Sequence, residues 1–333
     1  MPRRVAHVDL PEPPELGPLT EQSLQALRSL AAYRPAPGSE PCPDQVPAYR
    51  RAAVLLSIFP GRSGDLYVIL SQRATALRSH GGDTAIPGGR FEADDQDLEA
   101  TARREAWEET GLPIDPKRAP KLCELEPFLS ANELLVTPIV VLIIDPLIKP
   151  KLNPLEVSLL FSLPLASFLY HQPPNALRQS LRLGKQPTME ELQRQQPKSE
   201  FREPSDWHTC RDIRWLGHRV RRHTFWDTRN PIRGLTSDIL IHAAAIAYAR
   251  QPDFSTVAPT QPSQAELIRT AFTGPMAIKK RRVRPRMAGL QQPVDDDGKR
   301  PEDKAKLSRE RTLDMNRWMT RNKATTTTRP SRL

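Results

Sequence analysis

Gly88-Gly89-Arg90-Phe91-Glu92-Ala93-Asp94-Asp95-Gln96-Asp97, followed after six residues by Arg104-Glu105-Ala106-Trp107-Glu108-Glu109-Thr110-Gly111-Leu112, joins a glycine turn to an acid-rich lead-in and a charged segment. The spacing predicts a helix over Asp97–Thr110, capped by Asp95 or Asp97 and ended by Gly111 ahead of Pro113. On that helix Glu105, Glu108 and Glu109 stand at i, i+3 and i+4 and share one face. Three carboxylates on one stripe repel one another and raise each other's pKa. Divalent cations between them reverse that balance. Hard oxygen donors suit Mg²⁺ or Mn²⁺. A solvated acidic helix face is the plain alternative. Two features argue against it: Gly88-Gly89 lets backbone approach a ligand closely, and Arg104, at i to Glu108 at i+4, can hold a carboxylate in place.

Outward from this centre, Ala52–Ile58 and Leu66–Ser71 are short β-favouring runs with the turn Gly61–Gly64 between them, so a hairpin is expected. Arg73–Gly89 reads as a loop, Val136–Ile144 as a buried strand and Val157–Leu163 as a second one. Polar, Gln-rich 175–207 reads as a surface insert. Ile213–Trp226 is expected to return to strand, and Ser237–Arg250 to form an amphipathic helix. Strands mixed with helices over 49–252 indicate one α/β (α+β) domain. Before it lies a Pro-rich, partly disordered arm, 1–48, with one helix at Glu21–Ala32. After it, 253–333 is expected to be a largely disordered basic tail, with a short helix near Gln264–Thr273.

The net charge of +10 has a local origin. Met276–Leu333 holds 17 Lys and Arg against 7 Asp and Glu, while the rest of the chain has 32 of each. The basicity therefore belongs to a segment poor in apolar residues, expected to be solvated rather than a folded nucleic-acid face; within it Lys279–Arg286 (KKRRVRPR) keeps a nuclear-import reading open. Cys42, Cys123 and Cys210 are far apart and include no CxxC, so neither a disulfide framework nor a zinc site is indicated. The N-terminus lacks the apolar stretch of a signal peptide. The longest apolar runs fall short of the ~20 residues that span a bilayer, so membrane insertion is not expected. Ser331-Arg332-Leu333 is a close variant of the Ser-Lys-Leu peroxisomal address, so a peroxisomal import receptor is an expected partner and the peroxisome the expected compartment, with nucleus or cytoplasm as alternatives.

The stretch from Gly88 to Leu112 resembles the Nudix box, G-x5-E-x7-R-E-U-x-E-E-x-G-U with U apolar. Arg104–Leu112 matches its second half at every specified position. The first half departs: five residues past Gly89 comes Asp95 in place of Glu, and the interval to Arg104 is one residue longer. Pro87-Gly88-Gly89-Arg90, Asp95, Asp97 and Thr101-Ala102 are similar to the coenzyme A diphosphatase group of Nudix hydrolases. So are Leu77-Arg78-Ser79-His80-x-Gly82, Leu134–Pro138, Leu152-Asn153-Pro154-Leu155-Glu156-Val157 and Gly234-Leu235-Thr236 with Ile239–Ile241. Ile86 and Arg103 depart, standing where the group has Phe and Leu.

The resemblance covers roughly residues 50–250 and implies a mixed β-sheet sandwiched between helices. It implies metal-dependent cleavage of the pyrophosphate bond of coenzyme A or acyl-coenzyme A, giving an adenosine bisphosphate and (acyl-)phosphopantetheine. Glu105, Glu108 and Glu109, with the Gly89 carbonyl, are then the expected ligands of Mg²⁺ or Mn²⁺. Arg104 orients the carboxylates, and Glu105 or a residue outside the box is the base. Arg73, Arg78 and Arg90 are candidate phosphate contacts, His80 a candidate base or phosphate donor, and Glu156 a further substrate-site residue. A different nucleotide substrate, such as NADH or ADP-ribose, stays open, as does a non-catalytic nucleotide-binding module with a nucleic-acid-contacting tail.

Overall fold

The computed structural model describes residues 18–36, 46–77, 80–181, 207–227 and 231–274. Helix α1 is Glu21–Ala32, with the expected bounds; the Thr20 hydroxyl accepts from the Ser23 amide at 3.1 Å and caps it. Strands β1, Arg51–Pro60, and β2, Leu66–Arg73, form the expected hairpin, with Ile58 opposite Val68 and Pro60 opposite Leu66. The segment expected to be a plain loop contains two short strands, β3 (Thr84–Ala85) and β4 (Gly88–Arg90). Helix α2 is Leu98–Thr110. Strands β5 (Lys121–Glu124), β6 (Phe128–Leu129), β7 (Leu135–Leu142) and β8 (Val157–Pro164) follow.

Strand β1 sits at the centre of an eight-stranded mixed sheet. Along one edge it pairs in parallel with β7, from Arg51 opposite Leu135 to Ile58 opposite Leu142. Along the other it is shared: its second half pairs with β2 and its first half with β4, Ala53 opposite Gly89 and Val54 opposite Gly88. Parallel neighbours need a long crossover, and here the crossover carries the glycine turn and α2.

Both faces of the sheet are covered, so its central strands are apolar in near-continuous runs. Alternation divides them. Ala53, Leu55, Ile69, Ile139 and Val141 pack with Ala102 and Ala106 of α2 on one face. Leu56, Ile58, Val68, Leu70, Val140 and Leu142 pack on the other with Ala26, Leu27 and Leu30 of α1. Helix α4 (Leu235–Ala247) joins that second layer; α3 (Asn175–Ser180) precedes it in the chain. The sequence suggests an amphipathic α4, but none of its residues is exposed, because packed elements surround it.

A three-stranded antiparallel sheet stands beside the large one: β9 (His208–Trp215), β10 (His218–Trp226) and β11 (Pro231–Arg233), in the order β11-β10-β9. Leu216 and Gly217, both at positive φ (49° and 81°), make the two-residue turn that joins β9 to β10. The ends of the expected surface insert belong to the core. Leu181 is buried, and Trp207, fully buried, donates its indole N–H to the Ser167 carbonyl at 3.0 Å; its interior, 182–206, lies outside the described residues. Structure also continues past residue 253. Phe254 stacks on His208 at 3.8 Å. Helix α5 (Gln264–Thr273) puts Ile268, Ala271 and Phe272 against Val46, Leu129 and Leu135. The basic segment 276–333, with Lys279–Arg286 and Ser331–Leu333, lies outside the described residues, as does most of the Pro-rich arm. Among the described residues no helix is long and apolar enough to cross a membrane.

Candidate active site

Helix α2 is fixed at both ends. The Asp97 carboxylate accepts from the Ala100 amide at 2.8 Å, and Gly111, at φ 69°, returns its N–H to the Trp107 carbonyl at 2.9 Å. Two orphan carbonyls of the last turn are taken up by the segment before β8: Lys151 donates to Thr110 and Asn153 to Glu109, each at 2.9 Å. The Asn153–Val157 motif is thereby pinned to the end of α2 that carries Glu108 and Glu109.

The glycine turn faces the acidic stripe. The Gly88 amide donates to Glu109 Oε2 at 3.2 Å. A Cβ on Gly89 would overlap the Glu105 carboxyl group, and one on Gly88, at φ +156°, would overlap the Ala53 carbonyl oxygen of β1. Glycine is therefore required twice: at Gly88 for close contact with β1, at Gly89 to leave room for a carboxylate.

Arg104 holds the turn and the helix together. Its Nε and one terminal nitrogen make a fork on Asp95, at 2.9 and 3.0 Å. The same terminal nitrogen donates to the Arg90 carbonyl at 3.1 Å, and the other nitrogen to Glu105 at 3.1 Å. The i+4 partner suggested by spacing, Glu108, is farther, at 3.7 Å. Asp95, almost wholly buried, also accepts from the Thr101 hydroxyl and the Glu92 amide, both at 2.9 Å. Asp95, which stands where the general box has Glu, is thus the carboxylate that locks Arg104.

The charges on this face are strongly perturbed. Burial pushes Glu109 up to about 8, with the Glu105 and Glu156 charges adding to it against Arg73 and the Gly88 amide. Burial also pushes Glu105 up to about 7, opposed by Arg104 and reinforced by Glu108 and Glu92. Asp95 goes the other way: burial opposes its charge, but Arg104, the Glu92 amide and Thr101 outweigh it and hold its carboxyl below the usual range. The Arg104 pKa is raised, since these carboxylates overcome its own burial. Asp95 is held charged by Arg104, whereas Glu105 and Glu109 keep raised pKa values despite Arg104 and Arg73, which leaves an excess of negative charge that a divalent cation would balance. Among the described residues no three His, Cys, Asp or Glu side chains form a ready-made metal cage.

Arg73 lies where the β2–β8 register shifts, and its guanidinium reaches Glu109 at 3.7 Å. Arg73, His80 and Arg90 line an open cleft of about 830 Å³ beside the box. His80 bonds Asp83 at 3.0 Å and Asn132 at 3.3 Å. Arg78 lies outside the described residues. Of the two departures, Ile86 is buried in the core, and Arg103 is buried with bonds to Glu99 and the Ala119 carbonyl at 2.9 Å each. The far wall of the cleft comes from the small sheet, through Arg211, Arg222, Trp226 and Arg233. None of these four is marked by sequence spacing, because they reach the box only through the tertiary fold.

The chain is similar to known proteins over this region. A family model for the NUDIX domain matches residues 48–136. Nudix hydrolase 15, mitochondrial, of Arabidopsis thaliana is 37% identical over 213 residues, 62% of this chain and 61% of the relative. Nudix hydrolase 22, chloroplastic, of the same plant is 35% identical over 62% of this chain and 58% of its own. Peroxisomal coenzyme A diphosphatase 1 of Saccharomyces cerevisiae is 36% identical over 39% of this chain and 46% of its own. The chain thus spans about half to three fifths of the length of these relatives. A crystal structure of a Nudix hydrolase from M. Smegmatis, RenU, overlaps 35% of this chain and 71% of its own, at 23% identity and a TM-score of 0.30. The box helix, the glycine turn and part of the sheet thus lie in a stretch that matches the NUDIX domain, and the chain has homologues among the Nudix hydrolases.

Proposed function

We propose that this chain hydrolyses the pyrophosphate bond of coenzyme A or acyl-coenzyme A, giving an adenosine bisphosphate and (acyl-)phosphopantetheine. The observation that carries the reading is the pair Glu105 and Glu109 set against Gly88-Gly89, with Arg104 locked by Asp95. Glu105, Glu108 and Glu109, with the Gly89 carbonyl, would hold Mg²⁺ or Mn²⁺; the all-oxygen donor set and the crowded carboxylates with raised pKa values fit such an ion. When bound, it neutralises the pyrophosphate oxygens that otherwise repel a nucleophile. Arg104 keeps Glu105 in register with the turn. Glu105, less buried than Glu109, is the box carboxylate we assign to take the proton of the attacking water. Arg73 and Arg90 supply positive charge for the substrate phosphates, and Glu156 stands close enough to Glu109 to raise its pKa.

The coenzyme A assignment draws support from the flanking segments, above all Asn153–Val157 docked on α2, and from the yeast relative's name. Purified protein incubated with coenzyme A, acetyl-coenzyme A, NADH and ADP-ribose in Mg²⁺ or Mn²⁺ tests it: coenzyme A or its acyl form is turned over fastest. Faster turnover of NADH or ADP-ribose replaces the substrate while keeping the reaction. The same relative supports peroxisomal import, whereas the two plant relatives carry mitochondrial and chloroplastic names. A fluorescent protein fused at the N-terminus is expected in puncta that disperse on removal of Ser331–Leu333; puncta that persist exclude that tripeptide as the address.

A further inference from the structure

We propose that Arg211 of β9, with Arg222 beside it, forms a second anion site that takes a phosphate monoester of the nucleotide, separate from the pyrophosphate being cleaved. The antiparallel register sets Arg211 directly opposite Arg222, and like charges in that position cost sheet stability. Arg222 is compensated: it pairs with Asp238 at 2.9 Å and lies over the Trp215 ring at 4.8 Å. Arg211 is exposed and has no carboxylate within 4.0 Å among the described residues. Its face of the sheet opens into the 830 Å³ cleft that Arg73 enters from the box side. Five arginines line that cleft; Arg73, Arg222 and Arg233 pair with Glu109, Asp238 and Asp83, so Arg90 and Arg211 leave it net positive and an anion is the ligand its charge favours. Its volume is of the size that holds a nucleotide. Arg73 is engaged with Glu109 and Arg90 belongs to the glycine turn, so Arg211 is the guanidinium without a carboxylate partner among the described residues that stands away from the metal-binding stripe. A guanidinium offers a planar fork suited to a terminal phosphate.

The inference deepens the proposed function and rests on it for the identity of the nucleotide, since coenzyme A carries a 3′-phosphate monoester besides its pyrophosphate. The test has a binding arm that needs no hydrolysis. By calorimetry on the full chain, adenosine 3′,5′-bisphosphate is expected to bind about tenfold tighter than AMP. R211A should erase that difference, and R211K should keep part of it. In the kinetic arm, the ratio of kcat/KM for coenzyme A over dephospho-coenzyme A should fall about tenfold in R211A. A bisphosphate preference that survives R211A, or a loss equal for both ligands, overturns the site. So does inorganic phosphate competing as strongly as the bisphosphate. If the preference is present and lost in R211A while coenzyme A is not hydrolysed, the substrate assignment falls and the anion site stands.

Discussion

The box helix and the small β9–β11 sheet face the same cleft but are built by opposite logic. Around α2 the chain concentrates charge that opposes folding. Two buried carboxylates sit side by side, offset only in part by Arg104, and contact with Gly88-Gly89 strips them of solvent. In the small sheet the packing side is saturated with partners: His208 Nε2 meets His223 Nδ1 at 2.9 Å, His223 meets the Thr256 carbonyl at 3.0 Å, and Phe254 stacks on His208. On its cleft side Arg211 has no carboxylate partner among the described residues. The first region spends stability to hold a reactive site, and the second supplies a rigid wall for recognition. Changes to the metal carboxylates of the box should therefore cost activity more than stability, and changes behind the wall or to the Arg104–Asp95 lock the reverse.

The largest effect is expected from Glu109→Gln. Losing one metal carboxylate should lower kcat/KM by about 10²–10³-fold, several kcal/mol of transition-state stabilisation. The melting temperature of the metal-free protein should not fall, because Gln replaces a buried carboxyl whose ionised form burial and Glu105 already disfavour. An E109Q protein that hydrolyses as fast as the parent ends the catalytic assignment. One that loses activity only by unfolding erases the contrast between the two regions.

Asp95→Ala sharpens the contrast from the other side. It leaves Arg104, mostly buried, without its forked partner. Breaking such a pair is expected to cost about 2–3 kcal/mol of stability, the lower range because Arg104 keeps Glu105. Arg104 also aims Glu105, so kcat/KM should drop about tenfold in the protein that remains folded. Urea titration and steady-state kinetics on D95A and D95E measure both. Full activity in D95A would mean Glu105 is held by the turn alone.

How far these regions could be seen in the sequence follows from the same difference. Asp97, Gly111 and the i, i+3, i+4 carboxylates are local features, set by helix periodicity and capping, and they stand where spacing put them. The β1–β2 hairpin was equally plain from two apolar runs around a glycine turn. The Arg104–Asp95 fork was not, since nine residues separate the partners and the lead-in folds back rather than continuing the helix. Strands of two or three residues such as β3, β4 and β6 are too short for alternation to reveal. Trp207 reads as the edge of a polar insert, and no motif or spacing singles out Arg211. Burial of the first and orientation of the second come from tertiary packing that no local pattern encodes.

The smallest expected effect probes the wall. Burial, with the neighbouring His223 and His171 charges, holds His208 down to about 3. A histidine with a depressed folded pKa stabilises the fold while neutral, above its unfolded value near 6.5, and loses that contribution as pH falls toward the folded value. At pH 5 the loss from His208 alone is about 2 kcal/mol, which for a domain of this size lowers the melting temperature by roughly 4–8 °C. His208→Phe should lower stability near neutrality, because His223 Nδ1 and His171 lose their partner, but should flatten the profile between pH 7 and pH 5. Hydrogen exchange at pH 5 then distinguishes the regions: β9 and β10 amides should lose protection before those of β1 and β7. Burial acts in the opposite direction on Glu105 and Glu109, whose raised pKa values make proton uptake favour the folded box. Simultaneous loss of protection in both sheets would mean that the wall and the box unfold as one unit, and that acid reaches the catalytic face through its recognition side.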